Sequence, residues 1–283
     1  MGKVNRMEQA KVQNLALTAA RSRLLALDMV YGAASGHIGG SLSSLDILTT
    51  LYFHVMRVNP DAPQAPERDR FVLSKGHCTP ALYSTMAQRG FFPLEELKQF
   101  RRIEGHMSGH AEMRHVKGVD MSTGSLGQGI SAAVGMALAG KADGRDYRVY
   151  ALLGDGEIEE GQVWEAAMTA AHFALDTVCA IVDDNGVQLD GPTCEVMNVA
   201  PLADKFRAFG WQVLSVDGHS LDALAEAFRQ AAATRGRPTV LLARTVKGKG
   251  VSFMEGQPAW HGKAPNDQEL AAALAELAEG GTL

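Results

Sequence analysis

Residues 154–186, GDGEIEEGQVWEAAMTAAHFALDTVCAIVDDNG, contain two strand ends and the helical stretch that joins them. The apolar run YRVYALL precedes Gly154, and a second apolar run, TVCAIV, precedes Asp183. Between them, Gln162 to Phe173 is rich in residues that favour a helix. A strand–helix–strand unit brings both strand ends to one edge of a parallel sheet, because its crossover is right-handed. This stretch therefore predicts an α/β fold.

Two polar residues, Asp155 and Asn185, follow the ends of these two strands. Open α/β sheets bind ligands in the crevice beyond the carboxyl ends of their strands. An Asp carboxylate and an Asn carbonyl are hard oxygen ligands that suit Mg²⁺. A GDG turn alone is common, and an Asp at a strand end often only caps a helix. The matched Asn on the neighbouring strand favours a metal site, and we expect a magnesium-bound diphosphate there.

The composition excludes several classes of protein. The chain has 283 residues, 46% hydrophobic and 21% charged, which is ordinary for a globular protein. A net charge of −5 does not favour binding to nucleic acid or to an anionic membrane. No apolar run reaches the roughly 18 residues of a membrane span, and the first residues, MGKVNRMEQAKVQ, lack the apolar core of a signal peptide. The three cysteines form no CxxC pair. We expect a cytoplasmic protein.

Strands and helices alternate along the chain, which predicts a parallel sheet with helices on both faces. Residues 101–120 are irregular and rich in His and Gly, and they predict a long ordered loop. No linker or repeat is visible, so we expect one domain over residues 1–283. The remaining helices are expected at 11–30, 45–56, from Ala81, and at 130–140, 201–209 and 221–233, with a Gly/Ser-rich turn, AASGHIGGSLSS, at 33–44. The remaining strands are expected at 70–73, 211–216 and 239–243, and the chain is expected to close on an Ala-rich helix.

Two glycine-containing segments have both a functional and a structural interpretation. In Gly124–Gly129, GSLGQG, glycines let the backbone approach a ligand, and the helix that follows offers free N–H groups to an anion. The same pattern also fits a close-packed helix start. Thr245–Gly250, TVKGKG, fits a phosphate or loop anchor, but we favour a solvated turn because lysine is usually exposed.

Four histidines lie in turns beside glycine: His37, His77, His110 and His261. Glycine lets the backbone expose an imidazole at a pocket wall, and imidazole can donate to phosphate or alkoxide oxygens and move protons. We therefore favour a functional role for this set, although a single histidine is more often structural. The others are expected to be structural or exposed (His54, His172, His219) or are left undecided (His106, His115).

Six motifs in this order resemble transketolase, in its N-terminal, diphosphate-binding half. They are ASGHIGGSLS, DRFVLSKGHC, GVDMSTGSLGQGIS, LGDGEIEEGQVWEA, DDNGVQLDG and WHGKAP. The resemblance extends roughly from residue 11 to 268, and it is closest to the split form, in which this half is a separate polypeptide. It implies the thiamine diphosphate-binding fold and an enzyme that transfers a two-carbon ketol unit between sugar phosphates.

The resemblance also implies roles for individual residues. The Mg²⁺ ion would be held by Asp155, Asn185 and the backbone carbonyl of Val187, where the family more often has Ile or Leu. The thiamine diphosphate would contact His77, Gly124, Ser125, Leu126, Gly156, Asn185 and His261, with Leu126 near the thiazolium. The substrate's hydroxyls and carbonyl would face His37, His110 and His261. Glu160 would link paired active sites across an interface.

The resemblance implies a partner as well. In the family, the second half supplies a glutamate that activates the cofactor's aminopyrimidine and the groups that bind the sugar phosphate. We therefore expect the C-terminal half of transketolase to be a separate chain, with two copies of each chain in an α2β2 complex. Alternatives are half of another thiamine enzyme, similar to deoxyxylulose phosphate synthase or 2-oxo acid dehydrogenase, or a non-catalytic thiamine-binding paralogue. The histidine set favours sugar handling.

Overall fold

A sheet of five parallel strands organises the computed structural model, which describes residues 7–280. The strands lie in the order β1-β2-β3-β5-β4. They are β1 (Arg70–Leu73), β2 (Val149–Gly154), β3 (Val178–Asp184), β4 (Gln212–Asp217) and β5 (Thr239–Arg244). The predicted parallel α/β sheet is confirmed.

Most helices between and around these strands occur where the sequence predicts them; the exceptions are the start of the helix at Ile38, described below, and the short helix Thr193–Val196, which was not predicted. They are α1 (Gln9–Gly32), α2 (Ile38–Thr50), α3 (Thr79–Arg89), α4 (Gln128–Ala142), α5 (Gly161–His172), α6 (Thr193–Val196), α7 (Leu202–Ala208), α8 (Leu221–Ala233) and α9 (Asp267–Gly280). Residues 101–120 contain no helix or strand, as expected.

The register of β2 and β3 brings their carboxyl ends together. Val149 lies opposite Val178, and Gly154 lies opposite Asp183. Asp155 and Asn185 come directly after these paired ends. The prediction that both strand ends meet at one edge is therefore confirmed.

Both faces of the sheet are covered, because side chains alternate between faces along a strand. On β2, Tyr150 and Leu152 pack into one apolar cluster, with residues of α1, α2, α3 and α8. Val149, Ala151 and Leu153 pack into the other cluster, with residues of α4 and α5. Strands buried on both faces explain the continuous apolar runs seen in the sequence.

Helix α2 begins earlier than predicted. We expected a Gly/Ser-rich turn followed by a helix from Leu45, but the helix starts at Ile38, and every residue from Ile38 to Thr50 is buried. A Cβ atom at Gly39 would lie 2.9 Å from the carbonyl oxygen of Trp260. The glycines here allow close packing within a buried helix, and they do not form a turn.

The first six residues, on which the signal-peptide expectation partly rests, lie outside the described residues. Within the described range 7–280, no helix combines the length and the apolar character needed to cross a membrane.

Candidate active site

The carboxylate of Asp155 lies almost buried at the ends of β2 and β3, with 4% of the residue exposed. Its two oxygens accept hydrogen bonds from the backbone N–H groups of Gly156, at 2.9 Å, and Gly186, at 2.6 Å. Burial, and then the negative charge of Asp183, raise the pKa of Asp155 to about 7. A buried carboxylate with a raised pKa fits a site that binds a cation.

Asp183 lies beneath Asp155 and already has a cation of its own. It forms a buried ion pair with Lys75, and it accepts hydrogen bonds from Ser43 Oγ at 2.6 Å and from the Thr245 hydroxyl. Burial works to raise the pKa of Asp183, but the Lys75 ammonium and these hydrogen bonds hold it below its usual value. Lys75 is therefore committed to Asp183, and Asp155 forms no ion pair of its own with any residue in the range 7–280.

Four histidines surround this edge of the sheet. Their ring centroids are separated by 5.0 Å for His37 and His77, 5.3 Å for His37 and His261, 5.1 Å for His77 and His261, and 6.0 Å for His37 and His110. His37 precedes the first turn of α2, while His77 and His261 lie on single turns of 3₁₀ helix. The fold thus brings together four residues that are distant in sequence.

The surroundings of all four imidazoles favour the neutral form. Burial, and then nearby positive charges, lower the pKa of His37 and of His261 to about 4. Burial, and then the ammonium of Lys75, lower the pKa of His77. Burial, and then the guanidinium of Arg101, lower the pKa of His110. A neutral imidazole has one donor and one acceptor, so these side chains suit hydroxyl and carbonyl groups.

Glu157, which the sequence did not single out, connects three parts of the site. Its Oε1 accepts hydrogen bonds from the Ser74 hydroxyl and from Gly127 N at 2.9 Å, and its Oε2 accepts from Gly154 N at 3.0 Å. It is 2% exposed. Glu157 therefore holds the GDG turn, the end of β1 and the glycine-rich segment in fixed relation.

The glycine-rich segment approaches the histidines at Gly124. This residue has φ +154°, and a Cβ atom on it would lie 3.1 Å from the His110 ring. The helix that follows, α4, begins at Gln128, and its N-cap residue, Gly127, provides no side chain to cap the first N–H groups. These close contacts are with protein atoms, as expected for a close-packed helix start, and the approach of this segment to a ligand stays a prediction.

The solvated turn that we predicted for TVKGKG is wrong. Lys247 is only 2% exposed, and its Nζ donates to the carbonyl oxygens of Val187, at 3.2 Å, and Gln188, at 3.1 Å. It also lies 3.1 Å from Nδ1 of His261. Burial, and then the charge of Lys75, lower the pKa of Lys247 to about 8. A second buried ammonium therefore faces the site.

Arg101 is a further residue that sequence reasoning missed. Its Nη2 lies 3.4 Å from Nδ1 of His37, and its Nη1 donates to Ser35 Oγ at 3.2 Å. The residue has φ +53°, a conformation that is uncommon outside glycine. It forms no ion pair with any carboxylate of residues 7–280. Within that part of the chain, a positive charge without a local counter-ion thus borders His37.

The structure brings most of the predicted site residues to one pocket of about 260 Å³. Those lining it are His37, His77, His110, Gly124, Leu126, Asp155, Gly156, Asn185, Val187 and His261, joined by Lys75, Glu157 and Lys247. Two do not line it. Ser125 is exposed beside it, and Glu160 is exposed immediately before α5.

Other histidines lie apart from this pocket. His106, left undecided by the sequence, lies 2.9 Å from a carboxylate oxygen of Glu96. His219, expected to be structural or exposed, is largely buried and hydrogen-bonded to Asp46 at 2.7 Å.

The family model described as transketolase, thiamine diphosphate binding domain, matches residues 14–278. The chain belongs to the transketolase family. The resemblance in sequence is confirmed, and thiamine diphosphate is the cofactor of this domain.

Solved transketolases have the same fold. The enzyme from Leishmania mexicana superposes with a TM-score of 0.88 at 32% identity, over 93% of this chain and 41% of its own. The enzyme from Campylobacter jejuni superposes with a TM-score of 0.87 at 34% identity, over 96% of this chain and 43% of its own.

Some relatives of this transketolase chain are subunits. A 6-deoxy-6-sulfo-D-fructose transketolase subunit, SqwG, from Clostridium sp. is 48% identical, covering 92% of this chain and 94% of the relative. One of the subunits of an apulose-4-phosphate transketolase from Phocaeicola vulgatus is 43% identical, covering 95% of each. The transketolase of Rattus norvegicus is 43% identical, but the match covers only 41% of its length. The match therefore covers nearly the whole length of the two subunits and less than half of the rat enzyme.

The donor set fits a metal-bound thiamine diphosphate. Asp155 supplies a buried carboxylate, Asn185 an amide oxygen, and Val187 a backbone carbonyl, which are ligands that Mg²⁺ prefers. The Val187 carbonyl also accepts a hydrogen bond from Lys247, so a metal would use the second lone pair of that oxygen. The buried ammonium of Lys247 beside them favours an anion. Oxygen ligands beside a buried ammonium suit the two charges of a magnesium diphosphate.

Proposed function

We propose that this chain is the diphosphate-binding, N-terminal subunit of a two-chain transketolase. The complex transfers a two-carbon ketol unit from a ketose phosphate to an aldose. The observation that carries this proposal is the juxtaposition of four neutral histidines with the buried carboxylate of Asp155 in one pocket. Bound thiamine diphosphate supplies the carbanion chemistry of the reaction.

At the diphosphate end, Asp155, Asn185 and the carbonyl of Val187 hold Mg²⁺. His77, Gly156, Asn185 and His261 contact the diphosphate, whose charge also meets the ammonium of Lys247. The support for this assignment is the distance of 3.1 Å between Lys247 Nζ and His261 Nδ1, together with the burial of Lys247. Buried donors that are already oriented bind an anion without rearrangement.

At the reacting end, His37, His110 and His261 bind the carbonyl and hydroxyl groups of the sugar, and Gly124 to Leu126 lie along the cofactor. Their lowered pKa values support this role, because a neutral imidazole can donate to a developing alkoxide and accept from a hydroxyl. The guanidinium of Arg101 beside His37 helps to keep that ring neutral.

A partner chain completes the site. Two of the relatives are themselves named as transketolase subunits, which supports a separate second chain. We place Glu160 at the contact between two copies of this chain, since it is exposed at the start of α5, and we propose an α2β2 complex in the cytoplasm. The partner supplies the glutamate that activates the cofactor and the groups that bind the substrate's phosphate.

The experiment is to co-express the chain with the product of the neighbouring gene, purify the complex, and assay ketol transfer with added thiamine diphosphate and Mg²⁺. The donor panel should contain pentose phosphates, apulose 4-phosphate and 6-deoxy-6-sulfo-D-fructose, since relatives are named for the last two. We expect transfer from at least one donor. A stable complex that binds the cofactor but transfers from none would refute the proposal.

A further inference from the structure

A buried polar chain behind the pocket connects α1 and α2 to the turn that carries Lys247. Asp46, on α2, accepts hydrogen bonds from Arg23 Nη2 at 2.6 Å and from His219 Nδ1 at 2.7 Å. The other ring nitrogen of His219, Nε2, accepts the backbone N–H of Val246 at 2.9 Å. His219 lies between β4 and α8, so the chain joins four separate segments of the fold.

The partners of His219 determine its tautomer. A backbone N–H can only donate, so Nε2 must carry a lone pair towards Val246. The single proton of the neutral ring is then on Nδ1, where it is donated to Asp46. Arg23 supplies the positive charge that balances Asp46. His219 is therefore a neutral bridge between a carboxylate and a backbone amide, although its contact with Asp46 alone resembles an ion pair.

The amide that His219 holds lies immediately before Lys247. Before this amide, the hydroxyl of Thr245 donates to Asp183. After Lys247, the N–H of Gly248 donates to the carbonyl of Gly39 at 2.9 Å. Both ends of this short turn are thus anchored elsewhere. Within the turn, the carbonyl of Val246 accepts from the N–H of Lys249 at 3.1 Å and that of Lys247 from the N–H of Gly256 at 2.9 Å, while the N–H of Val246 is held by His219.

We propose that His219 is a positioning residue that acts through the Val246 amide to set the approach of Lys247 to the diphosphate end of the pocket. This role rests on the proposed function for its effect on cofactor binding, but its effect on the turn is independent of that function. Without the bond to Nε2, the N–H of the Thr245–Val246 peptide loses its acceptor, and the backbone that carries Lys247 is held less firmly. The ammonium then loses its fixed distance to Val187, Gln188 and His261.

Two substitutions separate the two bonds of the ring. In His219→Asn, the side-chain amide reaches the position of Nδ1 and can still donate to Asp46, but no acceptor reaches Val246. In His219→Gln, the longer side chain places its carbonyl oxygen near the position of Nε2, where it can accept the Val246 N–H. If the bond to Val246 matters, Gln restores function and Asn does not.

The first measurement is hydrogen exchange of residues 244–250 in the two-chain complex without cofactor. We expect faster exchange of the Val246 amide in His219→Asn and near wild-type protection in His219→Gln. The second is calorimetric titration with thiamine diphosphate and Mg²⁺. Losing one such hydrogen bond should weaken cofactor binding roughly 2- to 13-fold in His219→Asn.

A double-mutant cycle tests whether the effect passes through Lys247. In a Lys247→Met background, adding His219→Asn should no longer weaken cofactor binding. The matched control is Tyr147→Phe, which removes a hydrogen bond of 2.8 Å to the carbonyl of Met136 outside the pocket. Tyr147→Phe should lower the melting temperature without changing cofactor affinity. If His219 had only a structural role, His219→Asn would give the same result.

The proposal is overturned if His219→Asn leaves exchange at Val246 unchanged, if its affinity loss persists in full with Lys247→Met, or if it behaves like Tyr147→Phe. A wild-type complex that binds no thiamine diphosphate would instead refute the proposed function. In that case the exchange measurement alone decides the positioning role.

Discussion

Replacing Asp155 with Asn should remove most of the cofactor affinity while leaving the fold intact. The change keeps the shape of the side chain but removes the negative charge that we assign to Mg²⁺. Asp155 lines the pocket, only 4% of it is exposed, and it is the carboxylate that we assign to the metal, so its charge has no substitute among the assigned ligands. Removing one partner of a buried ion pair typically costs about 3–5 kcal/mol, which corresponds to roughly 160- to 4,700-fold weaker binding.

The assay is calorimetric titration of the two-chain complex with thiamine diphosphate at saturating Mg²⁺, together with thermal unfolding of the cofactor-free complex. The matched control is Asp184→Asn, a carboxylate at the same edge that lines a different groove. We expect Asp155→Asn to bind far more weakly and still to unfold cooperatively, because the loss of one acceptor for a backbone N–H opposes the gain from removing a buried charge. Unchanged affinity, or an equal loss in Asp184→Asn, would refute the metal assignment.

Three further predictions address the partner and the histidines. The chain purified alone should show no ketol transfer, and adding the partner chain should restore it; transfer by the single chain at the rate of the complex would contradict a divided active site. His110→Ala should lower kcat/KM for phosphorylated and unphosphorylated acceptors by similar factors, roughly 10- to 150-fold for one hydrogen bond to a developing charge. A loss confined to phosphorylated acceptors would locate phosphate recognition in this chain. In Arg101→Gln, the pKa of His37 should rise from about 4 but stay below 6.5, because burial is the larger cause of its lowering. NMR titration of the histidine ring measures this, with Arg102→Gln as control, and an unchanged pKa would exclude the charge of Arg101 as a cause.

The centre of this fold was predictable because its signals are local. The apolar runs of β2 and β3, the helix between them and the polar residues after them all lie within residues 147–186. Parallel pairing then requires Asp155 and Asn185 to meet. The four histidines were found for a similar reason, since each is marked by adjacent glycine.

The charged residues of the site were not predictable in the same way. Lys247 and Glu157 have neighbours in sequence that fit an exposed turn, and exposed is the default for both residue types. Their burial depends on partners far along the chain: Val187 for Lys247, and Ser74 for Glu157. Arg101 reaches His37 only because of the fold of an irregular loop, which has no periodic pattern to read.

The complete burial of α2 limits where this protein can change its substrate preference. His37 begins this helix, and the residues that follow it have no solvent-facing side on which substitutions are tolerated. A mutation that shifts His37 must also repack the helix against the sheet, so a library directed at α2 should yield mostly unfolded chains. Arg101 and His110 belong to a loop with exposed neighbours, where side chains change at little cost to folding. Laboratory evolution towards new sugars should therefore concentrate its productive substitutions in residues 101–110.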